Sequence, residues 1–233
     1  MYKENTVIYD KYNNPVKVPA GFKLAKDSGT DVTKGIVIED VEAGNDDTIG
    51  NQYVWIPVGD VYINTNKDTK RIHLGRYEFE TNSDGVMKQS ADNYTEVIEI
   101  DVNQEWTYRE LTSGVENAIA KDLGDFITKT KNASGYYIGR FEMGDEESTK
   151  SKVMRTAISG SSNTATVKKN QAPYNYITYA EGKSLAENMS NVYDYSATTK
   201  LVSSYAWDTA ISLIQLKNSD YGASSQEGNY INT

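Results

Sequence analysis

The chain has 233 residues, a net charge of −9, no cysteine and a single histidine. That length can bury a sizeable core, as one large domain or two small ones. The lack of cysteine excludes disulfides, cysteine-bound zinc, iron–sulfur clusters and thiol nucleophiles, and the acidic balance argues against nucleic acid, whose phosphates need a basic patch.

No apolar run approaches the roughly 18 residues of a membrane span. The start, Met1-Tyr2-Lys3-Glu4-Asn5, has no apolar core of the kind a signal peptide needs. Eighteen tyrosines and many Asn, Ser and Thr resemble a secreted or surface β-rich protein.

Residues 6–9 read as a short strand, closed by a turn at Asn13-Asn14-Pro15. Residues 16–22 are extended but edge-like, because Pro19 and Gly21 interrupt them. Residues 27–34 read as loop and 35–40 as a short strand. Residues 42–51 hold Asp46, Asp47 and neighbouring Asn and Gly, a set that suits calcium or an ordinary turn. EF-hand spacing is missing, so the turn is favoured.

Residues 52–63 form the most apolar strand pair, ended or kinked at Pro57 and turned at Gly59-Asp60. Trp55 is expected in the core rather than as a sugar-stacking platform. Residues 74–78 (Leu-Gly-Arg-Tyr-Glu) echo 138–142 (Ile-Gly-Arg-Phe-Glu). Each copy sets Arg and Glu on one face of a strand, which reads as a surface ion pair rather than as a catalytic Arg140 and Glu142. One histidine, His73, cannot build a His-rich metal triad and is expected to be structural.

Residues 81–94 read as a polar loop and 95–102 as a strand or extended arm. Residues 113–131 are the first helix, with capping-box spacing at Ser113 and Glu116 and an apolar face of Val115, Ile119, Leu123, Phe126 and Ile127. Gly124 weakens it by about 1 kcal/mol relative to alanine. Residues 135–145 read as a central strand, with Gly139 inviting a bulge or a close backbone approach. The acidic run Asp145-Glu146-Glu147 follows it. Residues 146–170 are polar and read as a mobile excursion.

A second helix begins near Tyr179, with Thr178 and Glu181 at capping-box spacing and Ala180, Leu185, Ala186 and Met189 as its buried face. Residues 203–217 form the third, with Trp207, Ala210, Ile211 and Ile214 on one buried face and Leu213 flanking it. There is no phosphate-binding Gly-x-x-x-x-Gly-Lys-Ser/Thr loop, no strand-linked Gly-x-Gly-x-x-Gly and no Gly-x-Ser-x-Gly elbow.

Four segments, in order, resemble the formylglycine-generating enzyme (sulfatase-modifying factor) superfamily. They are Tyr-Val-Trp-Ile-Pro-Val-Gly at 53–59, Gly-Tyr-Tyr-Ile-Gly-Arg-Phe-Glu at 135–142, Tyr-Ile-Thr-Tyr-Ala-Glu-Gly-Lys-Ser-Leu-Ala-Glu at 176–187 and Ser-Ser-Tyr-Ala-Trp-Asp-Thr-Ala at 203–210. Tyr179 stands where the family usually has tryptophan, and Ser203-Ser204-Tyr205 departs from its Leu-Pro-Thr run, whereas Trp207 and Ala210 match.

The resemblance implies an α+β, C-type-lectin-like domain with a mixed, mostly antiparallel sheet and about three helices. It implies an N-terminal β-rich extension over 1–51 and a partial lectin-like domain over 52–233. The family's later strand and its Arg-Gly-Gly and Gly-Phe-Arg regions have no counterpart, so the fold is expected to be incomplete at its C-terminal end.

The functional expectation is a non-enzymatic binding or display domain of a bacterial surface, secreted or phage-derived protein, with a protein or glycan ligand. The alternative is a fragment of an oxidoreductase-like member of the superfamily. No catalytic or cofactor-binding residue is assigned. Calcium stays open at Asp46–Asp47 and Asp145–Glu147.

Overall fold

The structure, a computed structural model of the chain, describes residues 1–41, 50–81, 87–96, 113–145, 164–171, 173–174 and 177–216. It is α+β, with antiparallel pairings and three helices among the described residues. Two compact units interleave along the chain. The first comprises Met1–Trp55 and Tyr137–Val202, the second Ile56–Tyr136 and Ser203–Thr233.

The first unit opens with a hairpin of β1 (Thr6–Tyr9) and β2 (Pro15–Val18). The expected turn forms there, with Asn13 at φ 74°. Asp10 ties it off by accepting from the amides of Tyr12 and Asn14 and, across to a single 3-10 turn at Val32–Lys34, from Val32. Val16 and Val18 point inward and Lys17 outward, the period-two pattern of a half-buried strand.

Strands β3 (Lys23–Leu24), β4 (Val37–Glu39), β5 (Gln52–Pro57) and β10 (Gly135–Gly139) form a sheet in the order β10-β5-β4-β3. The stretch expected to be a central strand therefore lies at the end of this sheet among the described strands. Its glycine behaves as expected. A Cβ on Gly139 would sit 3.1 Å from Val167 Cγ1 and 3.2 Å from the Phe141 carbonyl oxygen. Gly139→Ala should cost about 1–3 kcal/mol through overpacking, read as a lower midpoint in urea. An unchanged midpoint would mean that Val167 moves aside freely.

Strands β11 (Gly144–Asp145) and β12 (Ala165–Thr166) pair, and Ala165, Thr166 and Val167 are buried. The excursion expected over 146–170 is thus corrected for its last residues. They belong to a cluster with Leu185 and Met189 of α2 (Tyr179–Val192), and 146–163 lie outside the described residues. The capping box of α2 forms as the sequence predicts, with the Thr178 hydroxyl on the Glu181 amide and the Glu181 carboxylate on the Thr178 amide. Those bonds from Thr178 hold the Glu181 carboxyl below its usual range. The buried face is Gly182, Leu185, Ala186 and Met189, and Ala180 is exposed instead.

Strand β5 ends at Pro57 as expected, whereas Gly59-Asp60, expected as a turn, opens β6 (Gly59–Tyr62), which pairs with β7 (Thr69–Ile72) in the second unit; Gly59 takes φ 106°. Strand β8 (Gly75–Thr81) pairs with β9 (Met87–Glu96) around a register shift at Tyr77/Phe79. The polar loop expected over 81–94 is therefore largely a strand. Its backbone is satisfied by β8, which overrides a composition that favours loop. The arm expected beyond Glu96 lies outside the described residues.

Helix α1 (Ser113–Ala133) ends where predicted, at Ser134 with φ 60°. Ile127 and Leu74 form a buried pair, with Leu123, Phe126, Tyr136 and Tyr205 against it. The side chains of Ser113, Val115, Glu116 and Ile119 lie outside the described ones. Helix α3 (Ser204–Gln215) starts at its Ser203 cap.

Candidate binding surfaces

In the first unit, antiparallel register sets four polar residues in one row across the sheet. Lys23 lies opposite Glu39 and Glu39 opposite Gln52, and the Arg140 amide bonds the Gln52 carbonyl at 2.9 Å as the chain leaves β10. Directly opposed residues project on the same face, so their side chains meet. Lys23 Nζ lies 3.5 Å from Glu39 Oε1, Gln52 Nε2 donates to Glu39 Oε2 at 3.0 Å, and Arg140 Nη1 donates to Gln52 Oε1 at 2.8 Å. The same Nη1 donates to Asp27 Oδ1 at 2.9 Å. That bond from Arg140 holds the Asp27 carboxyl below its usual range. The buried Glu39 is compensated from both sides, as a buried charge must be.

A second network of this unit joins Asp40, Asn51 and Tyr195. Asp40 Oδ1 accepts from the Asn51 amide at 2.7 Å, and Oδ2 accepts from Asn51 Nδ2 at 2.8 Å and from the Tyr195 hydroxyl at 2.5 Å. Asn51 Oδ1 accepts from the Val167 amide at 2.8 Å. Tyr195 stacks on Tyr193 and meets Phe22 and Tyr53 edge-on or tilted. Burial pushes the Tyr195 and Tyr53 hydroxyls up from their usual value. They stay protonated at neutral pH, and the Tyr195 hydroxyl serves as a donor to Asp40.

In the second unit, α3 is held by its polar side. Asp208 Oδ2 accepts from Arg76 Nε at 2.7 Å and from the Tyr77 amide at 3.2 Å. The Thr209 hydroxyl accepts from the Gly75 amide and donates to the His73 carbonyl, each at 3.3 Å. The Tyr136 hydroxyl donates to the Ala206 carbonyl at 2.5 Å. These bonds turn Ala206, Asp208, Thr209, Ala210 and Leu213 inward.

The buried face expected for α3 is corrected accordingly. Ala210 is buried as predicted, and Leu213, expected at the flank, is buried too. Trp207 is 55% and Ile214 43% exposed. Trp207, Ile211 and Ile214, at i, i+4 and i+7, line the outer side. Asp208 is the one charged residue between Ser204 and Gln215, and it is turned inward, so the outer face carries no charge.

Arg140 pairs with Asp27 and Arg76 with Asp208, so neither pairs with the glutamate two residues on. Glu142 is exposed. His73 is half-buried and offers its carbonyl to Tyr77 and Thr209. Asp46, Asp47, Glu146 and Glu147 lie outside the described residues, and Asp145 ends β11. Among the described residues no group of three or more His, Asp or Glu could hold a metal ion, and no helix is long and apolar enough to cross a membrane. Sequence reasoning missed Asn51, Asp208 and Thr209. Each is a polar residue whose only signal is the partner the fold brings to it. No family model, curated protein or solved structure matches the chain.

Proposed function

We propose that the chain is a non-enzymatic binding or display domain of a secreted or surface bacterial protein. Its scaffold would be of the C-type-lectin-like kind that its resemblance to the formylglycine-generating enzyme superfamily implies. One observation carries the binding reading: a regular helix, pinned by Asp208 and Thr209, directs a tryptophan and an isoleucine into solvent. Exposed apolar patches mark interaction sites, and tryptophan is enriched among the residues that dominate binding energy. A face without charges offers little to an ionic or hydroxyl-rich ligand. Its complement is an apolar segment of a protein partner.

The test is a protein array probed at micromolar concentration beside a glycan array. Trp207→Ala should weaken protein binding at least about tenfold. Its free energy of unfolding should stay within about 0.5 kcal/mol of wild type, as for exposed substitutions. Silence on both arrays would count against a binding domain. Protein binding that survives Trp207→Ala would move the site off α3.

A further inference from the structure

We propose that the outer edge of β1 pairs with β1 of a second copy of this chain, antiparallel and about a twofold axis at Ile8. The edge lies in the first unit and does not rest on the reading of α3.

Ladder geometry fixes which groups face outward. The Asp10 amide bonds the Asn14 carbonyl at 3.0 Å, in line with the β1–β2 register. Bonded and non-bonded pairs alternate along an antiparallel ladder, so Thr6 and Ile8 turn amide and carbonyl toward β2, and Val7 and Tyr9 turn theirs away. Pro15, opposite Tyr9, has no N–H to give, which a non-bonded pair allows. Lys17, opposite Val7, sends its carbonyl to the far side of β2, where the Tyr137 hydroxyl donates to it at 3.0 Å. The outward main-chain groups of Val7 and Tyr9 meet no such partner among the described residues. Their side chains are 48% and 64% exposed, and Tyr9 is the most exposed large apolar residue described. The strand Thr-Val-Ile-Tyr suits a sheet and carries no charge and no proline. An edge of that kind is a template for another strand.

The register points to a second copy as the occupant. A twofold axis perpendicular to the sheet keeps every side chain on its own face. With Ile8 on the axis, Val7 faces Tyr9 of the copy, and Tyr9 faces its Val7. Each pair exchanges both main-chain bonds and joins an aromatic to a β-branched side chain. With Val7 on the axis, Tyr9 would face Asn5, whose side chain already accepts from the Ala20 amide and the Ser196 hydroxyl. The strand is thus complementary to itself in one register, as an isologous contact requires. The contact is smaller than the roughly 800 Å² per partner of a standard interface, so it is weak and reversible. Each copy has a net charge of −9, which opposes association until salt screens it. Salt therefore strengthens this pair, whereas it would weaken an ionic one.

The test is sedimentation equilibrium of the full chain from about 10 µM to about 1 mM, at low salt and at about 0.5 M sodium chloride. A dimer should grow with concentration, and more so at high salt. Val7→Pro removes an outward N–H without touching the β1–β2 ladder and should weaken dimerisation at least about tenfold. Tyr9→Glu, at an exposed position, should do the same, and it carries the test if a thermal melt shows the proline variant unfolded. Adding Val7→Lys to Tyr9→Glu should recover most of that loss, because this register sets the two new charges opposite each other in both pairs. The proposal is overturned by a monomer at every concentration, by a dimer that survives both single variants, by no recovery in the double variant, or by a dimer that only Trp207→Ala abolishes.

Discussion

Trp55→Ala should lower the free energy of unfolding by about 3–5 kcal/mol, the range for truncating a buried large aromatic. Trp55 is 2% exposed on β5, and its ring meets that of Tyr137 at 5.0 Å. Its amide bonds the Ile36 carbonyl at 2.9 Å, so the backbone holds the position while the side chain is removed, and the cavity cannot readily collapse. Trp55→Phe discriminates between volume and polarity. The indole Nε1 is buried without a hydrogen-bond partner among the described residues, a cost that a benzene ring does not carry. The phenylalanine variant should therefore lose well under half of what the alanine variant loses. Equal losses, read from urea midpoints, would mean that the indole finds a partner in solution.

Asn51→Ala should cost about 2–5 kcal/mol, although it removes only a small polar side chain. Asn51 is 0% exposed and serves two directions at once. Its Oδ1 satisfies the Val167 amide, and its Nδ2 donates to Asp40 and, at 3.0 Å, to the Tyr195 oxygen. Truncation leaves a buried main-chain donor and part of a carboxylate without partners, and each such group costs about 1–3 kcal/mol. Tyr195→Phe is the comparison. It removes one donor to Asp40, which keeps both bonds from Asn51, and should cost about 1 kcal/mol. If the two variants melt together, Asn51 is not the centre of the network.

Local signals were legible wherever neighbours in the chain decide the outcome. The strand at Thr6–Tyr9, the turn at Asn13 and the end of β5 at Pro57 rest on proline, glycine and alternation within a few residues. So do the Thr178–Glu181 capping box and the Ser203 start of α3, because a cap bonds amides two or three positions away. Trp55 in the core and the close approach at Gly139 followed from size alone. The polar strand Met87–Glu96 was not legible, because its case rests on the ladder with β8.

The binding surfaces were least legible of all. The apolar periodicity of residues 203–217 pointed Trp207 and Ile214 inward, yet Asp208 and Thr209 take that side. Their burial is repaid by Arg76, Tyr77, Gly75 and His73, more than a hundred residues earlier in the chain. Arg140 is similar, since Arg-x-Glu spacing suggested a neighbour and the sheet register supplied Gln52 and Asp27 instead. The α+β class, the three helices among the described residues and most caps and turns were set locally, because hydrophobic period and main-chain hydrogen bonding act over one or two turns of chain. Which side of α3 is buried, and which partners Arg140 takes among the described residues, came from the fold. A buried polar group is stable only where a distant strand brings its partner, and no local pattern carries that information.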